Sequence, residues 1–180
     1  MTRIAFRPMT RDDFADVVRW HDAPHAAQWF HNAPHDLAAA EAEFGPCVDG
    51  TDPTKLYVLL IDGKSAGYLQ HYLVDDYPPY RDAIGGDAAA AAAIDFIIGE
   101  EPLTGSGLGP LMLAQFIRDV VLHAHPGVHR VISSPDVRNE RSLRALEKAG
   151  FRRGDVFTID ANHPPERACV LDIEDGGKTT

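Results

Sequence analysis

The chain has 180 residues, of which 44% are hydrophobic and 24% charged, a composition typical of a globular protein large enough for one domain with a core. Its formal net charge of -10 disfavours nucleic acid as a partner, because contact with phosphates requires a basic surface. An acidic surface suits a cationic small molecule, or it serves solubility alone.

No apolar run is long enough to span a membrane, and the first residues lack the apolar stretch of a secretory signal. We therefore expect a cytoplasmic protein that does not bind membranes. Cys47 and Cys169 have no metal-ligand spacing and lie in no nucleophile motif, so we expect reduced thiols rather than a disulfide. The oligomeric state is left open between a monomer and a homodimer.

The first third of the chain predicts one strand and three helices. Alternation over Ile4 to Arg7 indicates a short strand. Thr10 is a good N-cap for a following helix, and the prolines around His25 to Phe30 bound a second, short helix. A third helix is expected to begin at Asp36 and to end near Gly45-Pro46.

The middle of the chain predicts a β-hairpin and a long strand. The turn Asp62 to Lys64 separates apolar runs at Leu56 to Ile61 and Ala66 to Val74. Asp75 to Gly86 is interpreted as a polar loop. The alanine run from Ala88 to Ala93 leads into β-branched residues, so we interpret it, with the stretch to Ile98, as one strand.

The last part predicts two helices and three strands, which completes an α/β domain with a mostly antiparallel sheet and packed helices. Gly107 to Leu122 is one helix, and Asn139 to Ala149 is the other, with Asn139 as N-cap and Gly150 just beyond its end. The apolar stripe of the first is Leu108, Leu111, Met112, Phe116, Val120 and Val121. The strands are Val128 to Ile132, Phe151 to Ile159 and Ala168 to Ile173. We expect a single domain over residues 1–173 and a frayed tail over Glu174 to Thr180.

Asp95 places a carboxylate inside an otherwise apolar strand. Strand geometry puts Ile94, Phe96 and Ile98 on one face and Asp95 with Ile97 on the other. Because an unpaired buried carboxylate is costly, Asp95 is either paired structurally or retained for chemistry. Burial raises the pKa of a carboxyl group, which makes it a better general base near neutral pH.

A glycine-rich turn follows that strand and opens a helix. Glycines let a backbone approach a ligand closely, and a helix N-terminus favours an anion, so Gly105, Gly107 and Gly109 could cradle a pyrophosphate. The turn fits neither the Walker loop nor the dinucleotide-binding spacing. By itself a glycine turn is also compatible with a purely structural role.

These two features, together with the segment Asn139 to Phe151, resemble the GCN5-related N-acetyltransferase (GNAT) superfamily. The turn over residues 104–109 looks like the acyl-CoA pyrophosphate loop, and Asn139-x-x-Ser142-x-x-x-Leu146-Glu-Lys-Ala-Gly-Phe151 looks like the pattern that follows it. A closer similarity is to aminoglycoside 6'-N-acetyltransferases and their relatives. It is carried by Trp20-x-x-x-Pro24-His25-x-x-x-Trp29, Gly67-Tyr68-Leu-Gln70-His-Tyr72, Ile94-Asp95-Phe-Ile-Ile-Gly99-Glu and the glycine turn.

The resemblance implies direct transfer from acetyl-CoA to an amine in a ternary complex, with no metal and no covalent acyl-enzyme. It implies that Asp95 acts as the general base and that the central strand pair splays apart. The pantetheine arm would pair with the strand edge, and backbone N–H groups would hold the pyrophosphate. The implied cofactor-binding residues are Phe96, Ile97, Ile98, Thr104, Gly105, Ser106, Gly107, Leu108, Gly109 and Asn139.

The acceptor pocket implied by the resemblance combines aromatic and acidic side chains, which suit an amino sugar or another cationic amine. The implied substrate-binding residues are Trp20, Trp29, Tyr68, Gln70, Tyr72, Asp76 and Tyr80. For the aromatic residues the alternative is core packing, and for Asp75 and Asp76 it is a solvated loop.

The chain departs from the family pattern at two places. Leu146 stands where a tyrosine is commonly proposed to protonate the leaving thiolate, so no general acid is assigned. Ser133 or Ser134 stands where some relatives carry an acidic substrate-binding residue, which leaves the acceptor open. The alternatives are acyl transfer to a siderophore or another metabolite amine or hydroxylamine, and a non-catalytic module that binds acyl-CoA or an aminoglycoside.

His123, His125 and His129 could suggest a metal site. They straddle a helix end and Pro126-Gly127 without a firm ligand geometry, so we interpret them as surface residues.

Overall fold

A computed structural model describes residues 2–30, 33–86 and 88–173. The chain forms two compact units, the first of residues 1–71 and 95–104 and the second of residues 72–94 and 105–180. The predicted tail from Glu174 to Thr180 lies outside the described residues, and a single domain over residues 1–173 stays a prediction. Within the described ranges, no helix has both the length and the apolar character needed to cross a membrane.

The strands form one mixed sheet. In chain order they are β1 (Ile4–Pro8), β2 (Lys55–Ile61), β3 (Lys64–Leu73), β4 (Ala92–Ile98), β5 (Arg130–Ser133), β6 (Arg152–Phe157) and β7 (Glu166–Asp172). The order in the sheet is β1-β2-β3-β4-β5-β7-β6. Only the β4–β5 pair is parallel among the described registers, and it covers Ala92↔Val131 and Ala93↔Ile132. The predicted α/β class with a mostly antiparallel mixed sheet is confirmed.

The first unit carries three helices, α1 (Phe14–His21), α2 (Pro24–Ala27) and α3 (Leu37–Asp49). Thr10 precedes α1 as predicted, and its backbone N–H donates to the Asp13 carboxylate at 2.9 Å. The helices bury their apolar faces in a core that also receives side chains of β2, β3 and β4. The residues of α1 in this core include Phe14, Val17 and Trp20.

The predicted end of α3 near Gly45-Pro46 is wrong. The helix continues to Asp49, and its end is set by Gly50, which has φ 75° and donates its N–H to the Cys47 carbonyl at 3.2 Å. Pro46 is exposed, so its ring lies on the outside of the last turns rather than in the core. A left-handed glycine therefore outweighs the proline as the stop signal.

The hairpin between β2 and β3 is confirmed, and its geometry follows from its turn. Asp62 and Gly63 have φ 51° and 81°. Two consecutive positive φ angles define the type I′ turn, whose twist matches that of a two-stranded ribbon.

Two sequence predictions are wrong in the second unit. Asp75 to Gly86 is not a loop, because a 3₁₀ turn over Val74–Asp76 leads into α4 (Pro78–Ile84). Pro78 occupies the first turn, where a fixed φ favours helix, and Tyr80 is buried. The strand predicted from Ala88 begins only at Ala92, since φ of 57° at Ala90 breaks the extended backbone.

The helix predicted over Gly107 to Leu122 is divided into α5 (Leu108–Phe116), a π-helical stretch (Ile117–Val121) and α6 (Leu122–Ala124). Its predicted stripe is partly wrong, because Leu111 is 65% exposed. The buried rows follow i, i+4 spacing instead, with Leu113 and Ile117 beside the predicted Leu108, Met112 and Phe116.

The last helix, α7 (Glu140–Lys148), is confirmed with Asn139 as N-cap and Gly150 beyond its end. Gly150 has φ 100°, which is the left-handed conformation expected there. The three C-terminal strands differ from their predictions only at their ends.

Candidate active site

Asp95 and Gln70 lie opposite each other on β4 and β3. The Gly99 N–H donates to the Ala66 carbonyl at 2.9 Å, and this register places residue 70 across from residue 95. The Gln70 side-chain amide Nε2 donates to Asp95 Oδ2 at 2.9 Å, and both side chains are half-buried. The carboxylate is therefore oriented by a neutral donor and remains partly accessible. Gln70, predicted to bind substrate, is paired with the predicted base.

The strand beyond Asp95 presents backbone groups on the side away from β3. Because Gly99 bonds β3, the N–H and C=O groups of Phe96 and Ile98 point to the opposite edge. Phe96 and Ile98 are half-buried, whereas Ile97 is buried. The register therefore gives the predicted pantetheine segment two residues whose backbone groups point away from β3.

The glycine turn opens α5 in the second unit. Gly105 and Gly107 have φ 74° and 85°, which side chains rarely adopt, and Gly107 is the N-cap of the helix. Residues 105–107 are exposed, while Leu108 and Gly109 are buried. A Cβ on Gly109 would come within 3.3 Å of the Ala145 Cβ, so this glycine lets α5 approach α7. The exposed backbone at the start of a nine-residue helix can receive an anion.

Thr104, the first residue of the predicted pyrophosphate turn, lies in the first unit. Its hydroxyl donates to the Glu101 carbonyl at 2.7 Å, and it is half-buried. The exposed Ser106 belongs to the second unit.

Asn139 has a structural task at the start of α7. Its Oδ1 accepts the Ser142 N–H at 3.1 Å, and its own N–H donates to the Asp136 carbonyl at 2.9 Å. Asp136 is buried and is bound by the Arg138 guanidinium at 2.6 Å. With Oδ1 occupied by the cap, a ligand could receive a hydrogen bond from the Asn139 side-chain NH₂ group.

Two of the predicted acceptor aromatics belong to a cluster in the second unit. The Tyr72 ring lies 4.8 Å from Tyr77 and 6.1 Å from Tyr80, and Tyr80 lies 5.9 Å from Phe157. The Tyr80 hydroxyl and Ser134 Oγ share a hydrogen bond of 2.8 Å. Tyr80 is buried and Tyr72 half-buried, so of these two Tyr72 is the more accessible.

The remaining predicted acceptor residues differ in exposure. Asp76 is exposed, which agrees with the alternative that it belongs to a solvated surface segment. Asp75 accepts the Ala90 N–H at 3.0 Å and so supports the backbone before β4. Trp29 is half-buried in the first unit. Trp20 is fully buried, so core packing describes it.

Trp20 and Arg19 contact the residues that follow β4, Gly99 and Glu100. The sequence did not predict this role. The Trp20 indole ring lies against Gly99 so closely that a Cβ there would overlap the ring. Its Nε1–H donates to Glu100 at 3.1 Å, and Arg19 donates to the same oxygen at 2.7 Å. Donation by Arg19 and then by Trp20 lowers the pKa of Glu100. The motif containing Trp20 was visible, but only the fold shows what it contacts.

Tyr68 is buried and hydrogen-bonded rather than open to a ligand. Its hydroxyl lies 3.0 Å from Nε2 of His21, which is 2% exposed. Burial lowers the pKa of His21 from 6.5 to about 4, so the ring is neutral at neutral pH. The surrounding rings of Phe30 and Phe44 complete an apolar environment.

The free energy of unfolding should therefore decrease at acidic pH, where His21 becomes protonated. The pKa is about 4 in the folded chain against 6.5 as its ordinary value, so between these pH values the unfolded chain binds the proton and the folded chain does not. The contribution of the neutral His21 to the free energy of unfolding is fully present well above pH 6.5. It is lost as the pH decreases towards 4, by up to about 3 kcal/mol. Urea unfolding of the wild type and of His21→Gln at pH 7 and pH 4.5 measures this loss. The glutamine variant should lose less, whereas a control at the exposed His129, His129→Gln, should match the wild type; equal losses in all three proteins would refute the assignment.

The three predicted surface histidines do not converge on a site in the described chain. His123 and His129 are exposed and His125 is half-buried, and burial lowers the pKa of His125. Among the described residues, no group of three or more histidine, cysteine or acidic side chains could hold a metal ion.

The comparisons with known proteins agree on one family. A family model described as "Acetyltransferase (GNAT) domain" matches residues 9–159. The aminoglycoside N(6')-acetyltransferase type 1 of Klebsiella pneumoniae is 27% identical over 168 residues, which cover 87% of this chain and 78% of that protein. The lysine N-acyltransferase MbtK of Mycolicibacterium paratuberculosis is 31% identical over 147 residues, covering 76% and 63%.

A solved structure supports the same assignment. The crystal structure of the aminoglycoside acetyltransferase AAC(6')-Ib in complex with coenzyme A superposes with a TM-score of 0.80 at 25% identity, covering 94% of this chain and 95% of that one. The family match spans well over half of the chain. The chain therefore belongs to the GNAT acetyltransferase family and is an N-acetyltransferase, with acetyl-CoA as its cosubstrate.

Proposed function

We propose that this enzyme transfers the acetyl group of acetyl-CoA to a primary amine of a small cationic substrate, with aminoglycosides as the first candidates. The observation that carries the proposal is the half-buried Asp95 carboxylate, held by Gln70 on the neighbouring strand. The similarity to an aminoglycoside N(6')-acetyltransferase supports the choice of acceptor. The net charge of -10 favours the approach of a cation.

The chemistry requires a base because an ammonium group has no lone pair. In the proposal, Asp95 binds the substrate ammonium and takes one of its protons, directly or through water. The free amine then attacks the thioester carbonyl, the C–N bond forms, and the C–S bond breaks to release the coenzyme A thiolate. No covalent acyl-enzyme forms.

Residue 146, where related enzymes commonly carry the proposed general acid, cannot protonate the leaving thiolate in this chain. Leu146 has no acidic group and is fully buried in the second unit. After the C–N bond forms, the nitrogen loses a second proton, and in the proposal this proton reaches the thiolate through solvent. The overall reaction therefore releases one proton, the one that Asp95 took from the ammonium.

The proposal gives separate tasks to the cosubstrate residues. The outward N–H and C=O groups of Phe96 and the outward N–H of Ile98 would pair with the pantetheine amides, in the manner of an added strand. The turn from Thr104 to Gly109 would hold the pyrophosphate through backbone N–H groups. Asn139 would donate from its side-chain NH₂ to the pantetheine arm.

A second candidate is acyl transfer to another metabolite amine or hydroxylamine, including those of siderophores. The 31% identity with a lysine N-acyltransferase favours it. A preference for longer acyl-CoA donors would identify this second candidate, because the two candidate functions share the general base and differ in donor and acceptor.

A panel of amines assayed with acetyl-CoA tests the proposal. The panel should contain aminoglycosides with and without a 6'-amine, lysine, hydroxylamines and simple diamines, with release of the coenzyme A thiol as the signal. Acetylation of 6'-amino aminoglycosides, with loss of the signal when that amine is absent, is the expected result. Turnover only with lysine or hydroxylamines would favour the second candidate, and absence of acetyl-CoA binding by calorimetry would refute both.

Replacing Gln70 by Leu should lower kcat by about tenfold with little change in KM for acetyl-CoA. The leucine removes the amide donor 2.9 Å from Asp95 Oδ2, so the carboxylate loses its orientation while the cosubstrate strand is unchanged. Gln70→Glu should be worse, because it places a second negative charge across from Asp95. Steady-state kinetics with both substrates varied measures the effect; an unchanged kcat in both variants would show that the pair is dispensable.

A further inference from the structure

His25 reaches the end of β4 from the short helix α2. Pro24 starts this helix, and Ala26 is anchored in the core of the first unit. His25 Nε2 lies 2.8 Å from the Ile98 carbonyl oxygen. A carbonyl oxygen only accepts, so Nε2 carries the proton and donates it. Nδ1 of this ring is buried with no hydrogen-bond partner among the described residues.

The bond from His25 falls on the edge of β4 that faces away from β3. Gly99 bonds Ala66 on β3, so the backbone groups of Ile98 point the other way. His25 therefore occupies the Ile98 carbonyl on this edge. The groups left between Asp95 and that carbonyl are the N–H and C=O of Phe96 and the N–H of Ile98.

Residues at the end of β4 also contact α1, so the hydrogen bond between His25 and Ile98 lies in a segment that several contacts fix. Trp20 packs on Gly99, and Glu100 accepts hydrogen bonds from Trp20 and Arg19. Arg19 also lies over the Trp20 ring, with its guanidinium carbon 5.7 Å from the ring centroid. Each of the three consecutive residues from Ile98 to Glu100 thus receives a contact from a residue of α1 or α2.

We propose that His25 is a positioning residue, which fixes the register of the pantetheine arm by blocking the Ile98 carbonyl. The inference rests on the proposed function, in which that arm pairs with this edge. An arm that bonded Ile98 C=O instead of Phe96 C=O would be displaced by two residues, or about 7 Å. Such a slip carries the thioester away from Asp95, and His25 prevents it by occupying the alternative acceptor.

Two substitutions of His25 separate positioning from simple structural support. His25→Leu removes the donor and keeps an apolar side chain, whereas His25→Gln keeps a donor. His25→Leu should lower kcat at least about tenfold, with Kd for acetyl-CoA within about threefold of the wild type. His25→Gln should recover most of the rate. Dividing each rate by the concentration of acetyl-CoA sites found by calorimetry removes the contribution of unfolded protein.

His35→Leu is the matched control, because His35 is exposed and pairs with Asp22 at 2.7 Å. It should behave as the wild type. An unchanged kcat per site in His25→Leu would overturn the inference while leaving the acetyltransferase proposal intact. A wild-type chain that binds no acetyl-CoA would overturn both.

A crystal structure with coenzyme A gives a second, independent readout. It should show pantetheine amides bonded at Phe96 and at the Ile98 N–H, with the Ile98 carbonyl still bound to His25. A pantetheine nitrogen on the Ile98 carbonyl in the wild type would overturn the inference.

Discussion

Replacing Asp95 by Asn is expected to lower kcat for amine acetylation by about 10³-fold, while Kd for acetyl-CoA stays within about threefold of the wild-type value. The substitution keeps the size of the side chain and an oxygen that can still accept from Gln70. It removes the negative charge and the ability to take a proton from an ammonium group. The loss should therefore appear in the chemical step rather than in cosubstrate binding.

Raising the pH offers a sharp internal test of this assignment. An amine that is already deprotonated needs no general base, so the deficit of Asp95→Asn should shrink as the pH approaches the pKa of the acceptor amine. Rates measured from pH 6.5 to pH 9.5 with one acceptor would show this convergence. A deficit that stays constant over this range would indicate that Asp95 binds or orients the amine without taking its proton.

Asp155→Asn is a suitable control, since Asp155 is an exposed carboxylate on β6 and the substitution changes the net charge equally. It should retain wild-type kinetics. Asp95→Asn with an unaltered kcat would refute the general-base assignment. A wild-type chain that binds acetyl-CoA but acetylates no amine would instead favour the non-catalytic module considered from the sequence.

The parts of the site that the sequence predicted are local in the chain. Asp95 in an apolar strand and the glycine turn before α5 need only neighbouring residues to be recognised, because strand alternation and left-handed glycines are properties of short segments. The Asn139 cap and Gly150 were predictable for the same reason. Each of these elements is present where it was predicted.

The parts that the sequence did not predict depend on pairing between distant segments. The bond from Gln70 to Asp95 follows from the register of β3 on β4, and the bond from His25 to Ile98 joins residues 73 positions apart. Tyr68 was predicted to contact substrate, but its burial against His21 depends on how α1 packs on β3. Side-chain type alone cannot distinguish a buried aromatic from one that lines a pocket.

The helix α4 was missed for a different reason. Its sequence begins with two prolines and follows two aspartates, a composition that is usual in loops. Proline is nevertheless compatible with the first turn of a helix, and burial of Tyr80 stabilises the segment. Tertiary packing therefore outweighed local composition in this case.

Gly67→Ala is expected to lower the free energy of unfolding by about 3–5 kcal/mol. Gly67 has φ 156°, which side chains rarely adopt. A Cβ at this position would overlap the Ile97 carbonyl oxygen and would lie 3.0 Å from the Gly99 backbone nitrogen. Both neighbours are backbone atoms of the adjoining strand, so neither can move aside by a rotamer change.

Gly50→Ala separates the two causes of this loss. Gly50 also has a positive φ, of 75°, but a Cβ there would meet no atom within 4 Å. Backbone strain alone should cost Gly50→Ala about 1 kcal/mol, and the excess in Gly67→Ala reports the collision with β4. Urea unfolding at pH 7 measures both values, and equal losses would show that β3 and β4 do not approach as closely as described.

Gly67→Ala should also lower the activity of the molecules that remain folded. The colliding oxygen belongs to the backbone of Ile97, two residues from Asp95, so we expect relief of the collision to shift the strand that carries the general base. At a temperature where Gly67→Ala is still folded, kcat per acetyl-CoA site should fall by at least about tenfold, whereas Gly50→Ala should keep the wild-type value. A folded Gly67→Ala with full kcat would mean that the strand can yield without moving Asp95, and the requirement for close approach would then belong to stability alone.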